Sequence, residues 1–260
     1  MKKFWFMLTA LVVTCFLVAC RGSQGVSTKT IKENKKIVVA TESEFKSLVN
    51  GKDTLVGADI ELAKAIGKKL GVKVEFSVMS FDNVLASVQS GKADIAIAGI
   101  SVTDERKKVY DFSDSYYTSE NVVIVKKDKV NDFTSADSLA KQTVGTQKGS
   151  VQETIAKKQF SKASVVSLAS NGEMINELKS GQIQAVVLEE AIAEGYIAQN
   201  DDLTLASFNL KSDGSDAYAV AIRKGSDDLL KEINAVIKET KESGKFDQWL
   251  KEASSYKQSK

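Results

Sequence analysis

The chain has 260 residues, 43% of them hydrophobic and 27% charged, which is the balance of an ordinary soluble globular protein and sets aside disordered, collagen-like and multi-span membrane classes. Thirty-six basic against 34 acidic side chains leave no excess of positive charge to suggest nucleic acid. There is no histidine, which excludes a histidine general base, a Ser-His-Asp triad and a His-ligated metal. The only cysteines, Cys15 and Cys20, lie too near the start to build a disulfide core or a zinc site. No metal and no cofactor is expected.

The chain opens on Met1-Lys2-Lys3, followed by an apolar run from Phe4 to Val18. Fifteen residues rise about 22 Å as a helix, short of the roughly 30 Å of a hydrocarbon core, so the run reads as the h-region of a signal peptide. Leu17-Val18-Ala19-Cys20 resembles the lipobox of bacterial lipoproteins, in which the cysteine is diacylated and becomes the first mature residue. An ordinary signal peptide or a short anchor helix is the alternative. Removal of residues 1–19 takes away Lys2 and Lys3 and leaves no net formal charge. Residues 20–34 are expected to be a lipidated, flexible tether, because Arg21 to Thr30 is polar, aperiodic and rich in Gly and Ser.

Beyond Lys36, strand and helix patterns alternate. Ile37 to Ala40 reads as a strand, and Ile60, Ala63, Ile66 and Leu70 mark a helix over 59–70 that ends at Gly71. Val72, Val74 and Phe76 alternate as a strand. A helix over 82–90 stops at Gly91, and Ala93 to Ala98 follows as a buried strand. The pattern is α/β with parallel crossovers. Val88-Gln89-Ser90-Gly91-Lys92-Ala93-Asp94-Ile95 is echoed 90 positions later by Leu178-Lys179-Ser180-Gly181-Gln182-Ile183-Gln184-Ala185. Either helix–Gly–strand junctions simply look alike, or the chain holds two similar α/β lobes. Two such lobes would place the strand ends Ala98-Gly99-Ile100-Ser101 and Leu188-Glu189-Glu190 around one cleft. Near the carboxyl end, Leu229, Leu230, Ile233, Val236 and Ile237 form a helical face, and Phe246, Trp249 and Leu250 a last short helix.

Three features at strand ends carry chemistry. Thr103 is placed to cap a helix beginning at Asp104, which sets Arg106 one turn in, where a guanidinium can grip a carboxylate with Ser101 as a further donor. An exposed Arg106 paired with Asp104 or Glu105 fits the same spacing. Ser150 and Glu153 have the spacing of a capping box after a Gly turn, and the amides of such a helix start suit an anion. Glu189 ends the apolar run Ala185 to Leu188, either as the partner of an ammonium or as a solvated loop acid. Two elements suited to an anion and one acid describe a site for a zwitterion.

Over nearly all of this length the chain resembles the polar amino acid class of ABC-transporter solute-binding proteins, family 3 of the bacterial extracellular solute-binding proteins. The resemblance rests on Gly57-Ala58-Asp59-Ile60-Glu61-Leu62-Ala63-Lys64-Ala65-Ile66, Ser80-Phe81-Asp82, Ser90-Gly91-Lys92-Ala93-Asp94, Ser101-Val102-Thr103-Asp104-Glu105-Arg106, Tyr110-Asp111-Phe112-Ser113 with Tyr116-Tyr117, and Lys148-Gly149-Ser150-Val151-Gln152-Glu153. It implies the two-lobed, type II periplasmic-binding-protein fold, with residues 35–122 and 217–260 as lobe 1 and 123–216 as lobe 2. The crossing strands are expected near Asn121–Val125 and Ala217–Ile222. It further implies that Arg106, Ser101 and the amides near Ser150 and Val151 hold an α-carboxylate. Glu189 and the Gly99 carbonyl would hold the α-ammonium, and Phe81 would line the side-chain pocket. The sequence departs from the family in having Glu rather than Asp at 189, no hydroxyl at Val151, and a diverged Thr41-Glu42-Ser43-Glu44-Phe45-Lys46, where Phe45 is the candidate for a missing aromatic. Glu42 and Glu44 near the pocket mouth suit arginine, lysine or glutamine, or are solvated loop charges. The implied protein is a monomeric, lipid-anchored receptor on the extracytoplasmic face, closing on an amino acid and delivering it to a permease with its ATPase. The rival expectations are a cyclohexadienyl-dehydratase-like enzyme on the same fold and a non-transport surface sensor or adhesin.

Overall fold

The structure is a computed structural model, and it describes residues 25–42, 46–49, 52–212 and 214–255. In chain order the first elements are α1 (Thr28–Asn34), β1 (Lys36–Glu42), the hairpin β2 (Lys46–Val49) and β3 (Lys52–Leu55), α2 (Ala58–Leu70) and β4 (Lys73–Met79). There follow α3 (Phe81–Gln89), β5 (Ile95–Ala96), α4 (Asp104–Lys107) and β6 (Tyr110–Phe112). The chain then runs through β7 (Tyr117–Thr118), β8 (Asn121–Lys126), β9 (Thr143–Gln147), α5 (Val151–Gln159), β10 (Ser164–Leu168), α6 (Asn171–Ser180) and β11 (Ala185–Glu189). It finishes with α7 (Glu190–Ile197), β12 (Leu203–Leu205), β13 (Ala217–Tyr218), β14 (Ala221–Arg223), α8 (Asp227–Glu242) and α9 (Lys245–Ser255).

Two five-stranded sheets organise these elements, in the orders β4-β1-β5-β14-β6 and β10-β9-β11-β8-β12. The orders correspond strand for strand. In each sheet the first three strands run parallel and the fourth and fifth are joined antiparallel. The echo read from the sequence is therefore an architectural repeat. Gly91 and Gly181, with φ +75° and +81°, end the equivalent helices α3 and α6 and turn the chain into the equivalent strands β5 and β11.

Both sheets are covered on both faces, as parallel sheets require. In lobe 1, Ile37 and Val39 of β1 pack with Leu62 and Ile66 of α2 and Leu229 and Ile233 of α8. Ala40, on the other face, meets Val84 and Val88 of α3. In lobe 2, alternation along β8 and β11 sends Val123, Val125 and Val187 to one cluster and Ile124, Val186 and Leu188 to the other.

The structure corrects three expectations. Residues 28–34 are not a flexible tether but the helix α1. Ser27 caps it by accepting the Thr30 N–H at 3.1 Å, and Ile31 is fully buried. The segment is fastened to α8: the Val26 N–H donates to Ser226 Oγ at 2.7 Å, and Thr28 donates through N and Oγ1 to Asp228 Oδ2 at 2.8 and 2.6 Å. Two buried apolar side chains, Val26 and Ile31, a cap and the bonds to α8 hold a helix where composition suggested a coil. The ladder of β5 covers only Ile95–Ala96 rather than 93–98, with the flanking Asp94 and Ile97 N–H groups donating to Val38 O and Ala40 O of β1 at 2.9 and 3.0 Å. Finally, Asn121–Val125 is not a crossing. The buried run Val123–Val125 needs neighbours on both sides, and β8 lies wholly between β11 and β12, so an expected boundary after residue 122 cuts through it. The crossing is the two-stranded sheet β7–β13, in which the outgoing and return segments meet as Tyr117↔Tyr218 and Thr118↔Ala217, extended by the Ser119 N–H to Asp216 O bond at 3.0 Å.

The fastening of α1 is testable at Gly25, where an added Cβ would stand 2.1 Å from Gly225 O and 2.6 Å from Ser226 N. Gly25→Ala is expected to cost about 1–3 kcal/mol. Amide exchange should accelerate over residues 26–34 with lobe 2 unaffected, and unchanged exchange there would contradict the docking.

Candidate functional site

The carboxyl ends of the strands converge where the two lobes meet. Lobe 1 contributes Glu42 from the end of β1, Gly99 to Ser101 from the chain leaving β5, Phe81 and Asp82 from the start of α3, and Arg106 from α4. Lobe 2 contributes Gln147 to Val151 from the turn between β9 and α5, and Glu189 from the end of β11. β1 and the chain leaving β5 stay side by side as far as the Ile97 N–H, which donates to Ala40 O at 3.0 Å.

Arg106 is fixed by the cap predicted for it, since Thr103 Oγ1 accepts its backbone N–H at 3.2 Å. Its guanidinium donates from Nη1 to Ser101 O at 2.7 Å and from Nη2 across the cleft to Gly149 O at 3.2 Å. These acceptors are neutral. No carboxylate of the described residues stands in an ion pair with it, and Asp104 pairs with Lys107 at 3.7 Å instead. Burial pushes the Arg106 guanidinium down to about 10, with Tyr110 acting in the opposite direction. A half-buried cation without a counter-charge is suited to an anion.

The opposite sign collects around Gly99. A Cβ there would lie 3.3 Å from Glu189 Oε1, so glycine, already required by the positive φ, lets the carboxylate of lobe 2 rest against the backbone of lobe 1. Behind the same residue, Asp59 Oδ2 accepts the Gly99 N–H at 2.7 Å and the Tyr116 hydroxyl at 3.0 Å. The Tyr218 hydroxyl is buried next to Glu189 without a partner at full hydrogen-bonding geometry. Burial raises both acids, Glu189 to about 8 and Asp59 to about 6. The Tyr218 hydroxyl opposes this at Glu189, while the Gly99 amide and Tyr116 oppose it at Asp59.

Other contacts draw the lobes together. Gln147 Nε2 donates to Glu42 Oε1, both residues being buried, and Lys148 Nζ lies 3.0 Å from Asp82 Oδ2. The backbones touch at Gly149, whose added Cβ would sit 3.1 Å from Asp82 Cα. Phe81 and Val151 are buried at helix starts on the two sides.

Residues 37–253 match the family of bacterial extracellular solute-binding proteins, family 3. The chain belongs to that family. The arginine-binding extracellular protein ArtP of Bacillus subtilis is 34% identical over 257 residues, 96% of this chain and 97% of its own. The amino acid ABC transporter substrate-binding protein AbpA of Streptococcus pneumoniae, solved bound to L-arginine, is 48% identical with a TM-score of 0.86, over 89% of this chain and all of that one. The ancestral amino acid-binding protein AncCDT-1, described as a precursor of cyclohexadienyl dehydratase, is 33% identical with a TM-score of 0.78, over 88% and 99%.

In this solute-binding protein the structure brings Arg106, Ser101, Gly99, Glu42, Phe81, Ser150, Val151 and Glu189 to one interlobe region. Phe45 and Cys20 lie outside the described residues, as do Glu44 and residues 1–24. The expected capping box is altered. Ser150 Oγ accepts the Glu153 N–H at 3.2 Å, but the Glu153 carboxylate takes the Gly149 N–H at 2.9 Å, because the left-handed turn at Gly149 aims that amide at it. Four residues went unread as site residues: Gln147, Asp59, Tyr116 and Tyr218. Gln147 ends a mixed strand, Thr-Val-Gly-Thr-Gln, two residues before Gly149, and no local pattern set it apart.

The raised acids give a pH dependence. An acid whose folded pKa lies above its unfolded value favours the fold while protonated, and that contribution is lost as pH rises through the folded value. Without added amino acid, the solute-binding protein should lose thermal stability between pH 5 and about 8. Glu189→Gln should flatten that slope, and equal slopes in the two proteins would contradict the burial of Glu189.

Proposed function

We propose that this protein captures a free L-amino acid, L-arginine above others, outside the cytoplasm and delivers it to an ABC permease driven by its ATPase. The observation that carries the reading is a pair of unlike charges, Arg106 of lobe 1 and Glu189 of lobe 2, neither in an ion pair among the described residues and both turned to the interlobe region. A zwitterion satisfies both at once. Its carboxylate meets the guanidinium, Ser101 and the first-turn amides of α5 at Val151 and Gln152, which the helix cannot satisfy itself. Its ammonium meets Glu189 and the Gly99 carbonyl. Glu42 and Gln147 set a buried carboxylate and an amide one strand away from Gly99, suited to a guanidinium at the end of the side chain, and Phe81 supplies apolar wall. The arginine-binding relatives support this choice.

Contacts made from both lobes exist together only in the closed arrangement, so binding shifts the population toward it by rotation at β7–β13. Cys20, in its lipobox-like setting after a signal peptide at residues 1–19, would carry acyl chains that hold the protein at the outer face of the cell membrane. The receptor acts as a monomer.

Breaking a buried pair by removing one partner costs about 3–5 kcal/mol, roughly a hundredfold to several thousandfold in affinity. Arg106→Ala should abolish calorimetrically measurable L-arginine binding with an unaltered unfolding curve, and unchanged affinity would refute the assignment. In a thermal-shift screen of the twenty amino acids, ligand at a hundred times its dissociation constant adds about 2.7 kcal/mol. L-Arginine should give the largest shift, and Glu42→Gln should narrow its lead over L-glutamine. A screen without any shift would end the reading.

A further inference from the structure

The buried carboxylate of Asp59 remains outside the ligand contacts just described. It enters from lobe 1 at the first turn of α2, where the helix dipole favours an anion. Its Oδ2 gathers two donors, the Gly99 N–H at 2.7 Å and the Tyr116 hydroxyl at 3.0 Å. On the far side of Gly99 stands Glu189 of lobe 2, with Oε1 3.3 Å from where a Cβ would be. One glycine thus separates two carboxylates that belong to opposite lobes.

The surroundings supply hydrogen-bond donors but no positive charge. Asp59 is acted on by Gly99 and Tyr116, and Glu189 by Tyr218 and Asp59. Tyr116 packs on Phe246 at 5.4 Å between ring centres, Tyr218 also faces Ser119 and Asp216, and Tyr117 alongside faces Glu189, Glu190, Glu194 and Asp247. Every ionisable group in this set is acidic or phenolic. Among the described residues neither Asp59 nor Glu189 forms an ion pair. Closing the lobes therefore brings like charges together in a poorly solvated place, and either a proton or a cation must relieve them. Burial raises both acids, in keeping with this.

We propose that Asp59 is a positioning residue of the ammonium site: it fixes Gly99 by its backbone N–H, and its charge, set against Glu189, makes lobe closure selective for ligands that bring a cationic amine to the pair. The inference rests on the amino acid reading above and deepens it. Glu189 touches the ligand, whereas Asp59 acts through Gly99 and through the field. A ligand without the ammonium leaves a proton to relieve the two carboxylates, at a cost to closure that grows as pH rises, and it loses a contact as well.

Asp59→Asn tests this well, because both donors fall on one oxygen, which the amide oxygen replaces while the charge disappears. Calorimetry on the mature protein would compare L-arginine with its deamino analogue δ-guanidinovalerate. The wild type should prefer L-arginine strongly. In Asp59→Asn that preference should shrink by about tenfold, within the usual range of coupling between sites. Most of the change should come from weaker L-arginine binding, with the analogue held or improved. Equal weakening of both ligands, or an unchanged ratio, would overturn the proposal by making Asp59 merely structural or idle. Should Asp59→Asn fail to fold, Tyr116→Phe keeps the ring packing and the charge but removes a donor that lowers the Asp59 pKa. The acid limb of L-arginine binding should then move to higher pH, and an unmoved limb would overturn the proposal. A wild type that binds none of the twenty amino acids would instead remove the underlying reading. A wild type that binds L-arginine with an unmoved ratio in the variant removes only this inference.

Discussion

A guanidinium from one lobe and a carboxylate from the other, each partly withdrawn from water and neither in an ion pair among the described residues, lie in the region where the lobes meet. Partial desolvation of such groups is costly, and a protein retains them when something else completes them. The rest of the molecule can be understood as the means of holding these groups apart and aimed. The cap at Thr103 sets Arg106, and the end of β11 sets Glu189. The acceptors that Arg106 does have, the carbonyls of Ser101 and Gly149, orient the fork without neutralising it.

The matching sheet orders explain why both charges come to one place. In each lobe the strands that end at the interface are those flanked on both sides within the sheet, so their termini are fixed by ladders and by apolar layers above and below. Side chains that project past such termini inherit the rigidity of the sheet while remaining accessible. The crossing sheet β7–β13 is short by comparison, two residues a strand, and the proposed rotation would fall there instead of within either core.

Much of this was legible in the sequence where the physics is local. The stripe of Ile60, Ala63, Ile66 and Leu70, the face of Leu229, Ile233 and Ile237, and the two Ser-Gly junctions set element type, and the repeated junction pointed to paired lobes. The Thr103 cap and the position of Arg106 followed from spacing alone. What was missed is tertiary. Ile31 is one apolar residue in a polar stretch, and only the partners Ser226 and Asp228, about 200 positions away, make that stretch a docked helix. The run Val122–Val125 reads as a plausible crossing until its two neighbours are known. Asp59 sits within a family motif on an ordinary helix start, and nothing near it in sequence reveals that Gly99 lies on one side and Glu189 just beyond.

The docking of α1 would constrain how the receptor sits at a membrane if, as proposed, Cys20 is acylated. With Val26 pinned to the start of α8, the slack between an acylated Cys20 and the folded body is the five residues 21–25, a reach of at most about 18 Å. Lobe 1 would then ride close against the bilayer with one flank always turned inward, and lobe 2, whose chain connections to it run only through the crossing sheet, would be the part free to swing. A leash so short would turn attachment into orientation, narrowing the set of approaches by which a filled cleft could be presented to a membrane-embedded partner.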